Sequence, residues 1–459
     1  MEKAINKLME NTQQQFAGKT LVVGLGMTGM SVVRFLAKRG ESVAVTDTRD
    51  IPPGLDELKE HYPDVARFVG GFDERAFVSA DRLVVSPGVP LSDHCITQAI
   101  EKGIPVIGDV ELFAQYVDAP VIAITGSNGK TTVTTLLGNM AVESGFDVGV
   151  GGNIGTPALD LLNKGHELYV LELSSFQLET IESLKPVASV VLNVSEDHMD
   201  RYQGLEDYAR AKSRIYHNAD TEVVNLDDEQ VMKMANPLRQ IGFTIGQVAS
   251  DEEFGTCEVE GEIWLCHGPQ QLCPVDSLLI SGKHNIANAL AALALGTAAG
   301  FETAKMISAL QRFGGLPHRT QYVAEIAGVR FYNDSKATNV GACKAALYGL
   351  HKDDGSKAVV ILGGDCKGAD FSELGSVLED TCRGVVLIGR DADEIYRFVP
   401  QEVASVSATD MQDAVSKAAG LAKPGDRVLL SPACASFDMF KSYEHRGDVF
   451  MEAVRGETQ

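Results

Sequence analysis

The run VIAITGSNGKTT, residues 121–132, decides how this chain is read. Its first residues, Val121 to Ile124, are apolar and rich in β-branching, which predicts a buried strand, and from Thr131 to Val142 the pattern is helical. Between them lie Gly126, Ser127, Asn128, Gly129 and Lys130. A strand that turns through glycines into a helix aims backbone N–H groups and the positive end of the helix dipole at one point. Glycines let the backbone close on an anion, Lys130 can reach outer phosphate oxygens, and the Thr131 hydroxyl can ligate Mg²⁺. Only two residues separate Gly126 from Gly129-Lys130, so the loop is a variant of GxxxxGK[ST].

Downstream, Leu168–Glu172 reads as a strand that ends in a carboxylate. A carboxylate there is costly to bury unless it meets a cation, although a helix cap or surface position would also explain it. The strand Val187–Asn193 runs into Glu196, Asp197, His198 and Asp200. Ligands of open parallel sheets bind beyond the carboxyl ends of strands, so this cluster is a candidate metal or catalytic site.

Upstream, the strand Thr20–Val23 meets Gly24-Leu25-Gly26-Met27-Thr28-Gly29, then a helical pattern from Met30 to Arg39 and a strand ending near Asp47. That is the GxGxxG diphosphate fingerprint in a βαβ setting. NAD is one ligand for it; the diphosphate of a nucleotide sugar is another. A second, ATP-type loop favours two separate ligands, a nucleotide-linked substrate and ATP.

At 459 residues the chain exceeds one ordinary domain. Alternating strand and helix patterns predict α/β architecture with parallel sheets in three units: 1–107, Rossmann-like; 108–315, opening with the phosphate loop; and 316–459, with its own strand–loop–helix pattern. A small β-rich excursion is expected around Asp251–Pro274, and a hinge near Gly314-Gly315 that lets the last unit close over the central one. The formal charge of −23 opposes nonspecific nucleic-acid binding. No apolar run approaches the roughly 20 residues of a membrane helix, and residues 1–19 lack the apolar core of a signal peptide. A cytoplasmic protein without membrane contact, and a monomer, is expected. The eight cysteines form no CxxC, so reduced thiols are expected rather than a disulfide frame or zinc site.

Together these residues resemble the Mur ligases, ATP-dependent amino-acid ligases of cell-wall precursor synthesis. The resemblance rests on Thr125–Thr132, Gly152-Asn153-Ile154-Gly155, Glu172-x-Ser174-Ser175, Asn193 with Glu196–Asp200, His284-Asn285-x-x-Asn288 and Leu316-Pro317-His318-Arg319. The stretches Tyr332–Asn339 and Ser431–Asp438 are similar to those of the branch that adds D-glutamate to UDP-N-acetylmuramoyl-L-alanine.

The resemblance implies residue roles. Gly126, Ser127, Asn128, Gly129, Lys130, Thr131 and Thr132 hold ATP. Thr131, Glu172, His198 and a carbamylated Lys212 serve two magnesium sites. Without the resemblance, Lys212 would read as a surface lysine on a helix. Asn153 contacts the muramoyl substrate. Asn285, Arg319, Asp334 and Lys336 serve adenine, ribose and phosphates. Met27, Thr28, Asp47, Thr48, Arg49, Ser86 and Gly88 contact the uridine diphosphate. Lys336, Thr338, Ser436, Phe437 and Tyr443 bind glutamate, with Tyr443 standing where the family carries phenylalanine. An NAD-dependent oxidoreductase, a noncatalytic nucleotide sensor, folylpolyglutamate synthetase and the other Mur ligases remain rival readings of the sequence.

Overall fold

The structure, a computed structural model, describes residues 18–162, 164–195, 201–236, 238, 240–351, 355–366 and 369–457. These fold into three sheets. Two compact units carry them: Met1–Cys273 with Ala287–Ala309, and Pro274–Ile286 with Leu310–Gln459.

The first sheet contains β1 (Thr20–Val23), β2 (Val43–Asp47), β3 (Ala66–Val69), β4 (Arg82–Val85) and β5 (Val106–Ile107), in the order β3-β2-β1-β4-β5. Every pair is parallel. The order reverses between β1 and β4, and a parallel sheet leaves a crevice at such a switch point. The helix after β1 spans Met27–Lys38, starting three residues before the apolar pattern suggests. It can start there because Gly29 sits against the preceding turn: a Cβ on Gly29 would lie 1.9 Å from the Gly24 carbonyl oxygen.

The second sheet contains β6 (Val121–Thr125), β7 (Val148–Gly152), β8 (Leu168–Glu172), β9 (Ala188–Val191), β10 (Thr221–Asn225), β11 (Gln240–Gln247), β12 (Phe254–Val259), β13 (Glu262–His267) and β14 (Gln270–Pro274). Its order is β14-β13-β12-β11-β10-β9-β6-β8-β7. The strand β6 lies between β8 and β9, parallel to both, so the loops after all three open at the same end. β6 and β8 are buried at every position, as their continuous apolar runs require in a sheet covered on both faces. One cluster of buried side chains runs from Val22, Val45 and Val84 of the first sheet to Ala123, Leu171 and Val191 of the second. Arg34 reinforces that joint through ion pairs of 2.6 Å to Glu57 and Asp160.

The expected β-rich excursion is present as β12 to β14, with β12 and β13 antiparallel. It corrects the cysteine reading, because Cys257 and Cys266 form a disulfide. The hairpin register pairs Cys257 with Trp264 and Gly255 with Cys266, so the two cysteines are diagonal neighbours on one face. No CxxC spacing signals such a pair. The other six cysteines are buried and lie outside any disulfide among the described residues.

The third sheet contains β15 (Gln321–Ile326), β16 (Val329–Asn333), β17 (Ala358–Leu362), β18 (Cys382–Leu387), β19 (Ala404–Ser407) and β20 (Arg427–Leu430). Its order is β15-β16-β20-β17-β18-β19, with β15 antiparallel to β16 and the rest parallel. Apolar clusters cover both of its faces.

Candidate active site

The phosphate loop is built as its sequence suggests. The helix after β6 runs from Lys130 to Glu143, and Gly129 ahead of it has φ +81°. A Cβ there would also meet Asn288 Oδ1 at 2.4 Å, and one on Gly126 would meet Leu192 Cβ at 2.9 Å. The loop after β9 holds the phosphate loop in place. Asn193 Oδ1 accepts from Asn128 N at 2.8 Å, Ser127 N donates to Asn193 O at 3.0 Å, and Ser127 Oγ bonds the Ser195 backbone. Thr125 Oγ1 donates to Leu173 O, binding the loop after β8 to the same strand end.

Two lysines converge on one oxygen. Lys130 Nζ and Lys212 Nζ each lie 2.9 Å from the Gly126 carbonyl, and Lys130 also donates to Ser127 O. Lys212 is 1% exposed, with its ammonium 4.4 Å from the Tyr208 ring centroid, so the surface reading of this residue is wrong. Tyr208 and Lys212 are four apart on one helix and share its buried stripe. That spacing was the available signal.

Glu172 is 1% exposed at the end of β8. Thr131 Oγ1 donates to its Oε2 at 2.9 Å, and Asn153 Nδ2 donates to its Oε1 at 2.7 Å. No lysine or arginine among the described residues pairs with it. A buried carboxylate served only by neutral donors, beside the threonine of a phosphate loop, fits a divalent cation with hard oxygen ligands. The residues present therefore fit a magnesium–nucleotide: Thr131 and Glu172 would hold the metal, and Lys130 with the loop N–H groups would hold phosphate.

The first glycine loop opens on a cavity of about 430 Å³. Met27, Thr28, Asp47, Thr48, Arg49, Ser86 and Gly88 all line it, and so does Asn153 from the second sheet. Asp47 is buried, accepts from Leu25 N at 2.7 Å and Arg49 N at 2.9 Å, and is paired with the Arg49 guanidinium. These bonds hold its carboxyl below the usual aspartate range, against the opposing effect of burial. Asn153 thus belongs to both places: its amide is on Glu172, and it lines the cavity.

In the other compact unit the expected residues gather on the loops after β16 and β20 and at the turn before β15. Asp334 is buried. Its Oδ1 accepts from Thr320 N and its Oδ2 from Ser431 Oγ, while burial raises its carboxyl to about 6. Lys336 Nζ stands 3.9 Å over the Tyr443 ring, so the tyrosine in place of phenylalanine keeps an aromatic platform there. Thr338 is exposed, Ser436 is buried, and Phe437 is 67% exposed. Arg319 is exposed between His318 and Thr320, two non-glycine residues at φ +59° and +42°. Such backbone gathers at functional sites. Asn285 Nδ2 donates to Ser281 O. Thr132 is half-buried in the first turn of its helix.

His198, with Glu196, Asp197 and Asp200, lies outside the described residues. The sequence reading missed Gln177, which lines the cavity and forms a capping box with Ser174. The S-x-x-Q spacing was its signal. Asn288, quoted from the sequence only as part of a motif, lies against Gly129; Arg446 was missed, and the sequence offers no signal for it.

Comparison with known proteins follows the same divisions. A Mur ligase MurD-like N-terminal domain matches residues 18–108, a Mur ligase middle domain residues 124–296, and a Mur ligase glutamate ligase domain residues 318–434. The chain is 52% identical to a UDP-N-acetylmuramoylalanine–D-glutamate ligase of Nitrosococcus oceani, over 98% of this chain and 99% of that protein. It is 52% identical to the protein of the same name from Marinobacter nauticus, over 95% and 98%. In fold it is similar to UDP-N-acetylmuramate-alanine ligase MurC of Thermotoga maritima, with a TM-score of 0.55 at 18% identity over 96% of this chain and 99% of that one.

Proposed function

The chain belongs to the Mur ligase family, and from that premise we propose that it joins D-glutamate to UDP-N-acetylmuramoyl-L-alanine, with conversion of ATP to ADP and phosphate. The family carries out ATP-dependent ligation in peptidoglycan precursor synthesis. One observation carries the reading at the site: the chain of contacts Thr131–Glu172–Asn153, which joins the phosphate loop to the cavity of the first glycine loop.

A carboxylate is a poor acyl donor. ATP with magnesium supplies the phosphoryl group that turns it into an acyl phosphate, which the amine of D-glutamate then attacks. This chain's residues have to bring anions together. Two unit charges 4 Å apart repel by about 4 kcal/mol at an effective dielectric near 20. Lys130 and the loop N–H groups offset that repulsion, and Arg319 is the candidate cation of the other unit. Asn153 holds the muramoyl end next to Glu172, while Asp47 and Arg49 shape the cavity for uridine diphosphate.

Lys212 is the residue we propose to be carbamylated. The buried Lys212 ammonium and the half-buried Lys130 ammonium, both on one carbonyl, repel each other. Carbamylation replaces one cation with an anion, which attracts Lys130 and offers oxygens to a second magnesium. His198 is proposed to ligate or orient that metal, and its neighbourhood with Asp200 to assist deprotonation of the attacking amine. Asp334, Lys336, Asn285 and Arg319 are proposed for ATP, and Lys336, Thr338, Ser436, Phe437 and Tyr443 for glutamate. Among the described residues no helix is long and apolar enough to cross a membrane, and we propose a cytoplasmic monomer.

The test is phosphate release from ATP, Mg²⁺ and UDP-N-acetylmuramoyl-L-alanine with each of a panel of amino acids. Release only with D-glutamate, and only with the UDP-sugar present, supports the reading. Release with another amino acid moves the enzyme to a different branch of the family. No release, even with bicarbonate added to carbamylate Lys212, sinks it.

A further inference from the structure

The last helix, Tyr443–Gly456, opens with a buried cation that none of the roles above uses. Arg446 is 2% exposed. Its Nε donates to Ser335 Oγ at 2.9 Å, its Nη2 to Ser335 O at 2.9 Å, and its Nη1 to Cys434 O at 3.0 Å. All three acceptors are neutral; among the described residues no carboxylate bonds it directly, but the Asp438 carboxylate lies near enough to favour its charge. Burial lowers the guanidinium only to about 10, so it stays charged at neutral pH. A buried charge held mainly by neutral acceptors is expensive to keep.

The acceptors lie on two loops that follow neighbouring strands, for β16 and β20 pair in register with Asn333 opposite Leu430. The first loop carries Lys336 and Thr338, and the second carries Ser436 and Phe437. The helix that presents Arg446 is itself fixed. Ser442 caps it through His445 N, Ser335 Oγ donates to Tyr443 O at 2.8 Å, and Asn333 Nδ2 donates to Gly447 O at 3.3 Å. A Cβ on Gly447 would lie 2.2 Å from His318 Nδ1, so the helix start is seated without slack. Ala433, next to the carbonyl that Arg446 holds, has φ +59°, and a strained residue persists only where its surroundings hold it.

We propose that Arg446 is the positioning residue of the amino-acid site. Its guanidinium locks the loop after β16 to the loop after β20, and so fixes Lys336 and Thr338 on the one relative to Ser436 and Phe437 on the other. The proposal rests on the ligase reading above and deepens it.

The experiment is steady-state phosphate release by the full-length protein, varying D-glutamate and then the UDP-substrate. Wild type is compared with Arg446→Lys, Arg446→Met and Ser335→Ala, each checked by thermal melting. Arg446→Met is expected to raise the D-glutamate KM by about tenfold or more, on the scale of a lost hydrogen bond to a charged group, with the UDP-substrate KM within about twofold. A purely structural loss would raise both KM values together. Arg446→Lys is expected to restore most of the D-glutamate KM. A folded Arg446→Met with unchanged constants, or with all KM values raised in parallel, overturns the proposal. If Arg446→Met does not fold, Ser335→Ala decides: a rise in the D-glutamate KM alone supports the proposal, and no change overturns it. An inactive wild type sinks the ligase reading and this proposal with it, whereas an active wild type with indifferent variants sinks this proposal alone.

Discussion

The chain contains two strand–glycine–helix turns, after β1 and after β6, and they differ in what their surroundings demand. After β1 the nearby carboxylate, Asp47, is met by a guanidinium and two amides, so its charge is answered inside the protein. After β6 the nearby carboxylate, Glu172, receives among the described residues only a hydroxyl and an amide, while two lysines crowd one carbonyl. The first turn is electrostatically closed and offers a shaped cavity. The second gathers a buried carboxylate and two lysines at one strand end, an arrangement that suits a metal–polyphosphate. Similar backbone devices therefore serve different ligands, and side chains brought in from neighbouring strands make the difference.

The largest expected effect breaks the second turn alone. Lys130→Ala is expected to lower kcat by roughly 10³, as for loss of one preorganised charge, with the UDP-substrate Kd within about twofold. A variant within tenfold of wild type in kcat would remove Lys130 from the phosphate site.

Next, Gly29→Ala attacks the first turn through its backbone. The added Cβ would lie 1.9 Å from Gly24 O, and overpacking of this kind typically costs about 1–3 kcal/mol. Urea denaturation should show a loss of that order, together with weakened UDP-substrate binding. Unchanged stability would mean that the turn after β1 is not held as closely as described.

A third carboxyl, Asp109, sharpens the contrast from the opposite side. It is fully buried, with Gln177 Nε2 as its side-chain partner at 3.3 Å, its Oδ1 has no hydrogen-bond partner among the described residues, and burial pushes it up to about 6. The folded state then binds a proton more tightly than the unfolded chain. This group's contribution to stability accordingly falls as pH rises from about 3.8 to about 6 and is flat above. Asp109→Asn is expected to be more stable than wild type at pH 8, by on the order of 2 kcal/mol, with the gain vanishing toward pH 4. Equal melting temperatures at pH 8 would show the carboxylate to be satisfied.

The smallest expected effect is Asp47→Asn. Because Asp47 is held below the usual range, its contribution is present above pH 3.8 and lost as pH falls below that value. At neutral pH the variant should raise the UDP-substrate KM by about tenfold and leave the ATP KM unchanged. This is the scale of one charge-assisted contact. Parallel changes in both constants would erase the distinction between the two turns.

Much of this is legible in the amino-acid sequence, and the reasons are local. The strand β6, its glycines and its helix are adjacent in sequence, so periodicity and composition reveal them. The same holds for β1, Gly24–Gly29 and Asp47. The loops after β8 and β9 can be read as candidate sites because each ends a continuous apolar run at a polar cluster. The short, half-polar strands β3 and β19 have burial patterns that do not stand out from loops. The Cys257–Cys266 bond depends on a hairpin register, and Lys212 reads as a surface residue unless its helix is known to turn inward.

By itself the sequence determined the α/β alternation, both phosphate-type turns and the motifs that ally the chain with the Mur ligases. Each of these is written in contiguous residues whose backbone preferences act over a few positions. Only the tertiary structure decided that β6 sits between β8 and β9, that among the described residues Glu172 receives Thr131 and Asn153 but no lysine or arginine, and that Arg446 holds Ser335 to Cys434 across a separation of 111 residues in sequence from the first. Those facts depend on strand order and on burial. Charge becomes expensive only where packing has removed the water, and no local pattern states where that will be.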